Sequence, residues 1–311
     1  MHLARRSLWI LLLAGICLAG GAARAAEPGL VIVSSERSPV YQEAADALLT
    51  ELARLGQSAR QVPQFTVAEL AAQPRTARLT VALGTEACAA LVQRPVPGAV
   101  LCTLLPQASF ERILRESARR VSPQLSALYL NQPLGRQLDL VRLALPEARR
   151  IGVLYAAASG PQAPALAAAA QARGQRIVSA RLEPGEPVYN PLQQVLAESD
   201  VLLALADPQI YNAGSIQNIL LTSFRARVPM LAFSPAYVRA GALLAVYSTP
   251  AQIGQQAAGR VRAVLQGQAL GAPEHPRLFS VSVNEHVARS LGRRLEPEAL
   301  AERLRLLEQG P

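Results

Sequence analysis

Short unbroken apolar runs alternate along this chain with longer stretches in which apolar residues recur every three or four positions. "LVIVSS" at 30–35 is the first such run, and "SPVYQEAADALLTELARLG" follows with Ala44, Leu48, Leu52 and Leu55 on one helical face and Gly56 as a stop. The alternation continues with a weaker strand at 58–62 ("SARQV"), "RLTVALG", the helix "TEACAALVQ", "GAVLCTLL", the helix "QASFERILRESARR" and "QLSALYL". "NQPLGRQLDLVRLAL" then reads as a helix leading into a second series that opens on "RRIGVLYAAAS". In that series the strands "QRIVSARL", "DVLLALA", "VPMLAFS" and "GALLAVYS" are separated by the helices "APALAAAAQARG", "NPLQQVLAES" and "GSIQNILLTSFRA", with "VPMLAFS" leading into "GALLAVYS". Predominantly apolar strands, with helices between them, are the signature of parallel sheets covered on both faces. Two series, each restarting on a fresh apolar strand, predict an α/β protein of two lobes with separate sheets. The tail differs: a long amphipathic helix "PAQIGQQAAGRVRAVLQGQ", an alternating strand and short helix in "RLFSVSVNEHVARSLG", and a terminal helix "EPEALAERLRLLEQG".

The first 25 residues fall outside this pattern. Arg5 and Arg6 precede the apolar "LWILLLAGICLAGG", and Ala23 and Ala25 form an A-x-A-like site before Ala26, which together predict a cleavable signal peptide and a periplasmic destination. Ile16 before Cys17 is bulky where a lipid-anchor motif wants a small residue, so no anchor is expected. Cleavage after Ala25 leaves 286 of the 311 residues, enough for one large or two ordinary domains.

Composition removes several functions. All 31 basic residues are arginine, so lysine-dependent Schiff-base and P-loop chemistry is absent. The arginines are scattered without aromatic interleaving, which argues for a solvated surface and against a nucleic-acid face. No G-x-G-x-x-G follows the first strand, and no G-x-S-x-G elbow exists. The three histidines, His2, His275 and His286, have no ligand partners at metal spacing, so neither a metal nor another cofactor is expected, nor an enzyme. Cys88 falls on a helix and Cys102 on the next strand; a bridge between them is geometrically demanding, and two buried free thiols are expected.

What remains are strand ends that carry polar groups just before helix starts. In the first series these are Ser34, Ser35, Gly84 and Thr85; in the second, Tyr155, Asp207, Ser234 and Tyr247. Ligands of open α/β sheets collect outside the carboxyl ends of strands. Helix N-termini there suit carboxylates and phosphates, while Asp207 offers an acceptor to an ammonium or hydroxyl group. The same residue types are also the commonest helix caps. Asp207 followed by Pro208 stands too early to cap a helix that begins near Asn212 or Ala213.

"RRIGVLYAAAS", "DVLLALADP", "RVPMLAFSPAYVRAGALLAVYS", "IGQQAAGRVRAVLQGQ" and "FSVSVNEHVARSLG", in that order, resemble the tryptophan/tyrosine-binding group of ABC transporter substrate-binding proteins. "LVIVSS" and "VALGTEACAAL" extend the likeness into the first half. The resemblance implies a type I periplasmic-binding-protein fold: two Rossmann-like lobes, 26–131 with 247–272 and 132–246 with 273–311, joined by a three-strand hinge. It also implies a monomer that holds a small polar solute, an amino acid or related carboxylate, between the lobes and hands it to an inner-membrane permease. By the same likeness Thr85 matches the family's threonine after the third strand and Asp207 its aspartate in the second lobe, and Ser234 follows the "P-x-x-x-F-S" strand. Where the family carries an Asp-Pro stretch after the fourth strand and Gly-Asn-x-Thr-Gly before the first crossing, this chain has "TLLPQASF" and "QLSALYLNQP". The other function the sequence allows is an envelope interaction or regulatory protein with a vestigial cleft.

Overall fold

The computed structural model describes residues 29–57, 62–72, 76–94 and 97–309. The expected signal peptide and Cys17 lie outside the described residues.

The first sheet has the order β2-β1-β3-β4-β5, all parallel, from β1 (Leu30–Ser34), β2 (Gln64–Thr66), β3 (Leu79–Leu83), β4 (Ala99–Leu105) and β5 (Leu125–Tyr129). Residues alternate between its two faces with period two. Leu30 and Ile32 pack with one apolar cluster, Val31 and Val33 with the other. One face is covered by α1 (Pro39–Arg54) and α10 (Pro250–Leu265), the other by α3 (Thr85–Gln93) and α4 (Gln107–Glu116). Ser38 caps α1 by accepting from the Tyr41 N–H, with Pro39 at the first helical position, where its missing donor costs nothing. Thr249 and Gln252 form a reciprocal capping box at the start of α10. Gly254 lets these two helices touch: a Cβ there would stand 2.1 Å from the Ala44 carbonyl oxygen on α1.

The second sheet has the order β11-β10-β9-β8-β6-β7. β6 (Arg150–Tyr155), β7 (Arg176–Arg181), β8 (Val201–Leu203), β9 (Met230–Ala232) and β10 (Leu244–Tyr247) are parallel, and β11 (Ser280–Val283) closes the edge antiparallel to β10. Ile151, Val153 and Tyr155 face the cluster shared with α5 (Leu134–Ala144) and α12 (Pro297–Gln309); Leu154 faces the opposite cluster with α7 (Tyr189–Ala197) and α8 (Ile216–Arg225). α6 (Ala163–Gln171) and the short helices α2 (Val67–Ala72), α9 (Pro235–Ala240) and α11 (Glu285–Ser290) complete the set.

The chain passes between the sheets three times. It leaves β5 through Asn131 and Gln132 into α5, returns from β10 through Ser248 into α10, and leaves again through residues 271–279 into β11. The third passage runs beside β5: the Tyr129 N–H donates to the Glu274 carbonyl, and the Glu274 N–H to that of Ala127. Arg260 on α10 holds it there by donating to the carbonyls of Gly271, Ala272 and Ala127.

The structure departs from the sequence expectations at several points. The weak strand expected at 58–62 falls largely outside the described residues, and β2 lies later, at Gln64–Thr66, paired through Ile32 with Gln64. α2 and α9 were not anticipated, because six residues are too few to set up a helical period. The two free thiols are corrected: Cys88 and Cys102 form a disulfide with Cα atoms 5.4 Å apart, since α3 lies directly over β4 and brings both fully buried side chains together.

Candidate functional site

A cleft with a cavity volume of about 510 Å³ lies between the carboxyl ends of the two sheets. Its first wall is the segment that follows β4. Leu104 there has φ +54°, and the pairing of β4 with β5 shifts register between Thr103 and Leu105. This bulge turns the chain out of the sheet at Pro106 and starts α4 at Gln107. Phe110 and Ile113 are buried against the sheet, so Ala108, Arg112 and Arg115, spaced four and three residues apart, line the cleft with Ser109 and Glu111. Arg112 pairs with Glu116 and Glu111 accepts from Gln107, whereas the Arg115 side chain has no hydrogen bond or ion pair among the described residues. The first orphan N–H of α4, that of Gln107, donates to the Asn131 Oδ1 at 2.6 Å, so the first crossing caps the helix of the wall.

The second wall is aromatic. Phe233 lies edge-on to Tyr211 at 6.0 Å and to Tyr237 at 5.0 Å between ring centres, and the Tyr237 hydroxyl donates to the Tyr211 carbonyl. Burial pushes the Tyr211 phenol well above its ordinary range, with Asp207 and Tyr237 adding to the effect. The Tyr211 hydroxyl is buried and has no hydrogen-bond partner among the described residues. Burial likewise raises the Tyr237 phenol.

Beneath the aromatic wall stands Asp207, 1% exposed. Its Oδ2 accepts from both the backbone N–H and the hydroxyl of Ser159, each at 2.8 Å, and its Oδ1 accepts from the Gln209 N–H. The Ile210 and Tyr211 N–H groups donate to its carbonyl, so Asp207 heads a single helical turn of its own, well before α8. The sequence spacing suggested that it stood too early for capping; in the structure it caps this extra turn, which aims Tyr211 at the cleft.

The other expected residues lie as follows. Ser34 donates to the Phe65 carbonyl and borders a separate depression of about 360 Å³ on the first lobe, beside the Arg37–Glu69 ion pair. Ser35 donates to the Leu83 carbonyl and accepts from the Ala87 N–H, capping α3 from the neighbouring strand. Gly84 has φ +97°, and the hydroxyls of Tyr41 and Ser35 fill the place its side chain would occupy. Thr85 is the half-buried first residue of α3. Tyr155 is buried in the core cluster of the second lobe, and desolvation raises its phenol to about 12. Ser234 precedes α9 without a side-chain capping bond, and the Tyr247 hydroxyl shares a hydrogen bond with Ser282. Of the eight, Asp207 lines the inter-lobe cleft. The sequence reading did not single out Arg115, Tyr211, Phe233 or Tyr237. Its available signals were the polar face of α4 and the clustering of aromatics just after two strand ends.

A family model described as ABC transporter substrate binding protein matches residues 59–302. No curated protein matches the chain in sequence. Among solved structures, a conserved domain protein from Vibrio cholerae is similar at TM-score 0.61 and 20% identity, covering 89% of this chain and 98% of its own. An ABC domain in complex with L-Trp from Streptococcus pneumonia is similar at 0.58 and 15%, covering 88% and 98%. A ligand-free, open substrate-binding protein with adhesive properties from Clostridium difficile is similar at 0.67 and 16%, covering 86% and 95%. The likeness is that of the type I periplasmic-binding-protein fold.

Proposed function

The chain belongs to the ABC transporter substrate-binding protein family, and from that premise we propose that it carries a small amino acid or related carboxylate in the inter-lobe cleft and delivers it to an inner-membrane permease. The observation that carries this reading is the contrast between the two walls. One presents the unpaired guanidinium of Arg115 with the Ser109 hydroxyl; the other presents the rings of Tyr211, Phe233 and Tyr237. A cation opposite an apolar surface suits a solute with an anionic head and an apolar body.

Asp207 serves this site through its neighbours. It fixes the 207–211 turn and the Ser159 loop, and these position Tyr211 and Ala158 on the wall. Ser34, Ser35, Gly84 and Thr85 shape the carboxyl edge of the first sheet, outside the lining of the cleft. The proposed lobes are 26–131 with 247–272 and 132–246 with 273–311, rotating about the three crossings to enclose the solute. Among the described residues no helix is long and apolar enough to cross a membrane. With the expected signal peptide, periplasmic residence is the proposed location.

Native mass spectrometry of the protein purified from its own host tests this reading. A retained small anion, lost on Arg115→Ala, is the expected result. A protein that emerges empty and takes up none of a panel of amino acids and carboxylates would contradict it.

A further inference from the structure

All three passages between the lobes meet in one buried polar network, and the charge of its buried arginine is met by α12. Arg136, on the first turn of α5 and 5% exposed, donates to the Gln132 side-chain oxygen at 2.7 Å and to the Pro276 carbonyl at 2.8 Å. Its other face makes a two-pronged pair with Glu308 on α12, at 2.5 and 2.7 Å, and its guanidinium lies 4.2 Å from the centre of the Phe279 ring. Gln132, in the first passage, donates to the Ser248 hydroxyl in the second; Ser248 donates to the Leu278 carbonyl in the third.

The network continues to the cleft through the residue before Gln132. Asn131 caps α4 with its side chain at Gln107, while its carbonyl meets the His275 Nδ1 at 2.9 Å, and the His275 ring lies 5.3 Å from that of Tyr129. Five residues in series therefore connect the end of α12 to the first wall of the cleft: Glu308, Arg136, Gln132, Asn131 and Gln107.

We infer that Arg136 and Glu308 are positioning residues for the cleft, with α12 acting as a strap that holds the hinge and, through Asn131, the Gln107–Arg115 wall. The inference rests on the solute-binding reading for its purpose but not for its test. A buried ion pair adds little stability compared with hydrocarbon of the same shape; what it can add is a single geometry. Glu308 stands at the rim, its side chain about one-third exposed, so whatever engages the C-terminal helix would alter the wall from outside the cleft.

Amide hydrogen exchange on the ligand-free full chain decides the matter. In Glu308→Gln, exchange across 107–115 is expected to quicken about tenfold while that of α3 stays unchanged. The paired apolar variant Arg136→Met with Glu308→Leu keeps the fold even if the single variant does not. It is expected to melt near the wild type yet show the same loss of protection at 107–115. Wild-type exchange at 107–115 in the folded apolar variant would overturn the inference. No solute enters the experiment, so a failure of the transport reading would appear separately, in the binding panel.

Discussion

The carboxylate of Asp207 binds both the backbone N–H and the hydroxyl of Ser159, 48 residues earlier in the chain, and so joins the end of β8 to the loop after β6. These are the two loops that carry much of the second wall. Asp207→Ala would strand two buried donors of Ser159 and free the Gln209 N–H. It is expected to lower unfolding free energy by about 3 kcal/mol, measured by urea denaturation. A loss below about 0.5 kcal/mol, the size of an ordinary surface substitution, would remove Asp207 from its structural role.

The tyrosines give the stability a dependence on alkaline pH. Tyr129 and Tyr155 are both pushed up to about 12 by burial from an ordinary value of 10.0, with Glu111 adding to the effect at Tyr129. The unfolded chain therefore releases these protons at lower pH than the folded chain does. The stability they contribute is fully present below pH 10 and declines as pH rises from there through about 12. Tyr155→Phe should flatten part of that decline in denaturation curves recorded across the range. Because the Tyr155 hydroxyl has no partner among the described residues, the same variant should lose little stability at neutral pH.

The disulfide closes a loop with a sequence separation of 14. A loop of that size stabilises by about 3 kcal/mol in the chain-entropy account. Replacing Cys88 and Cys102 together by alanine should lower the denaturation midpoint accordingly. Thiol titration of the unfolded, unreduced protein should find neither sulfur free; two reactive thiols at these positions would contradict the pairing.

Gly254 is where α10 meets α1. Gly254→Ala drives a methyl into the Ala44 carbonyl and should cost about 2 kcal/mol despite alanine's better helix propensity. A stabilised variant would mean that the helices separate easily.

The pattern of apolar residues carried the fold because both sheets are buried on two faces. A strand such as Val201–Leu203 has no polar side to hide it, and the core face of α1 repeats through Ala44, Leu48 and Leu52. β2 escaped because it is a three-residue edge strand with no buried residue, preceded by Pro63. The site was less legible. Asp207 could be found from its place after an apolar run, but nothing local reveals that both its oxygens are engaged by Ser159 and Gln209. The first wall depends on a bulge at Leu104, a residue type with no preference for positive φ, so the departure from the family pattern at "TLLPQASF" was visible while its geometry was not. Tyr211, Phe233 and Tyr237 come together only once β8 and β9 lie side by side.

Titration calorimetry with a panel of amino acids and small carboxylates tests the central claim most directly, comparing the wild type with Arg115→Ala and Tyr237→Ala. The account predicts at least one solute that binds the wild type one-to-one and loses affinity about tenfold or more in each variant. A binder whose affinity is the same in all three proteins would place the solute outside the cleft between Arg115 and the aromatic wall, and contradict it.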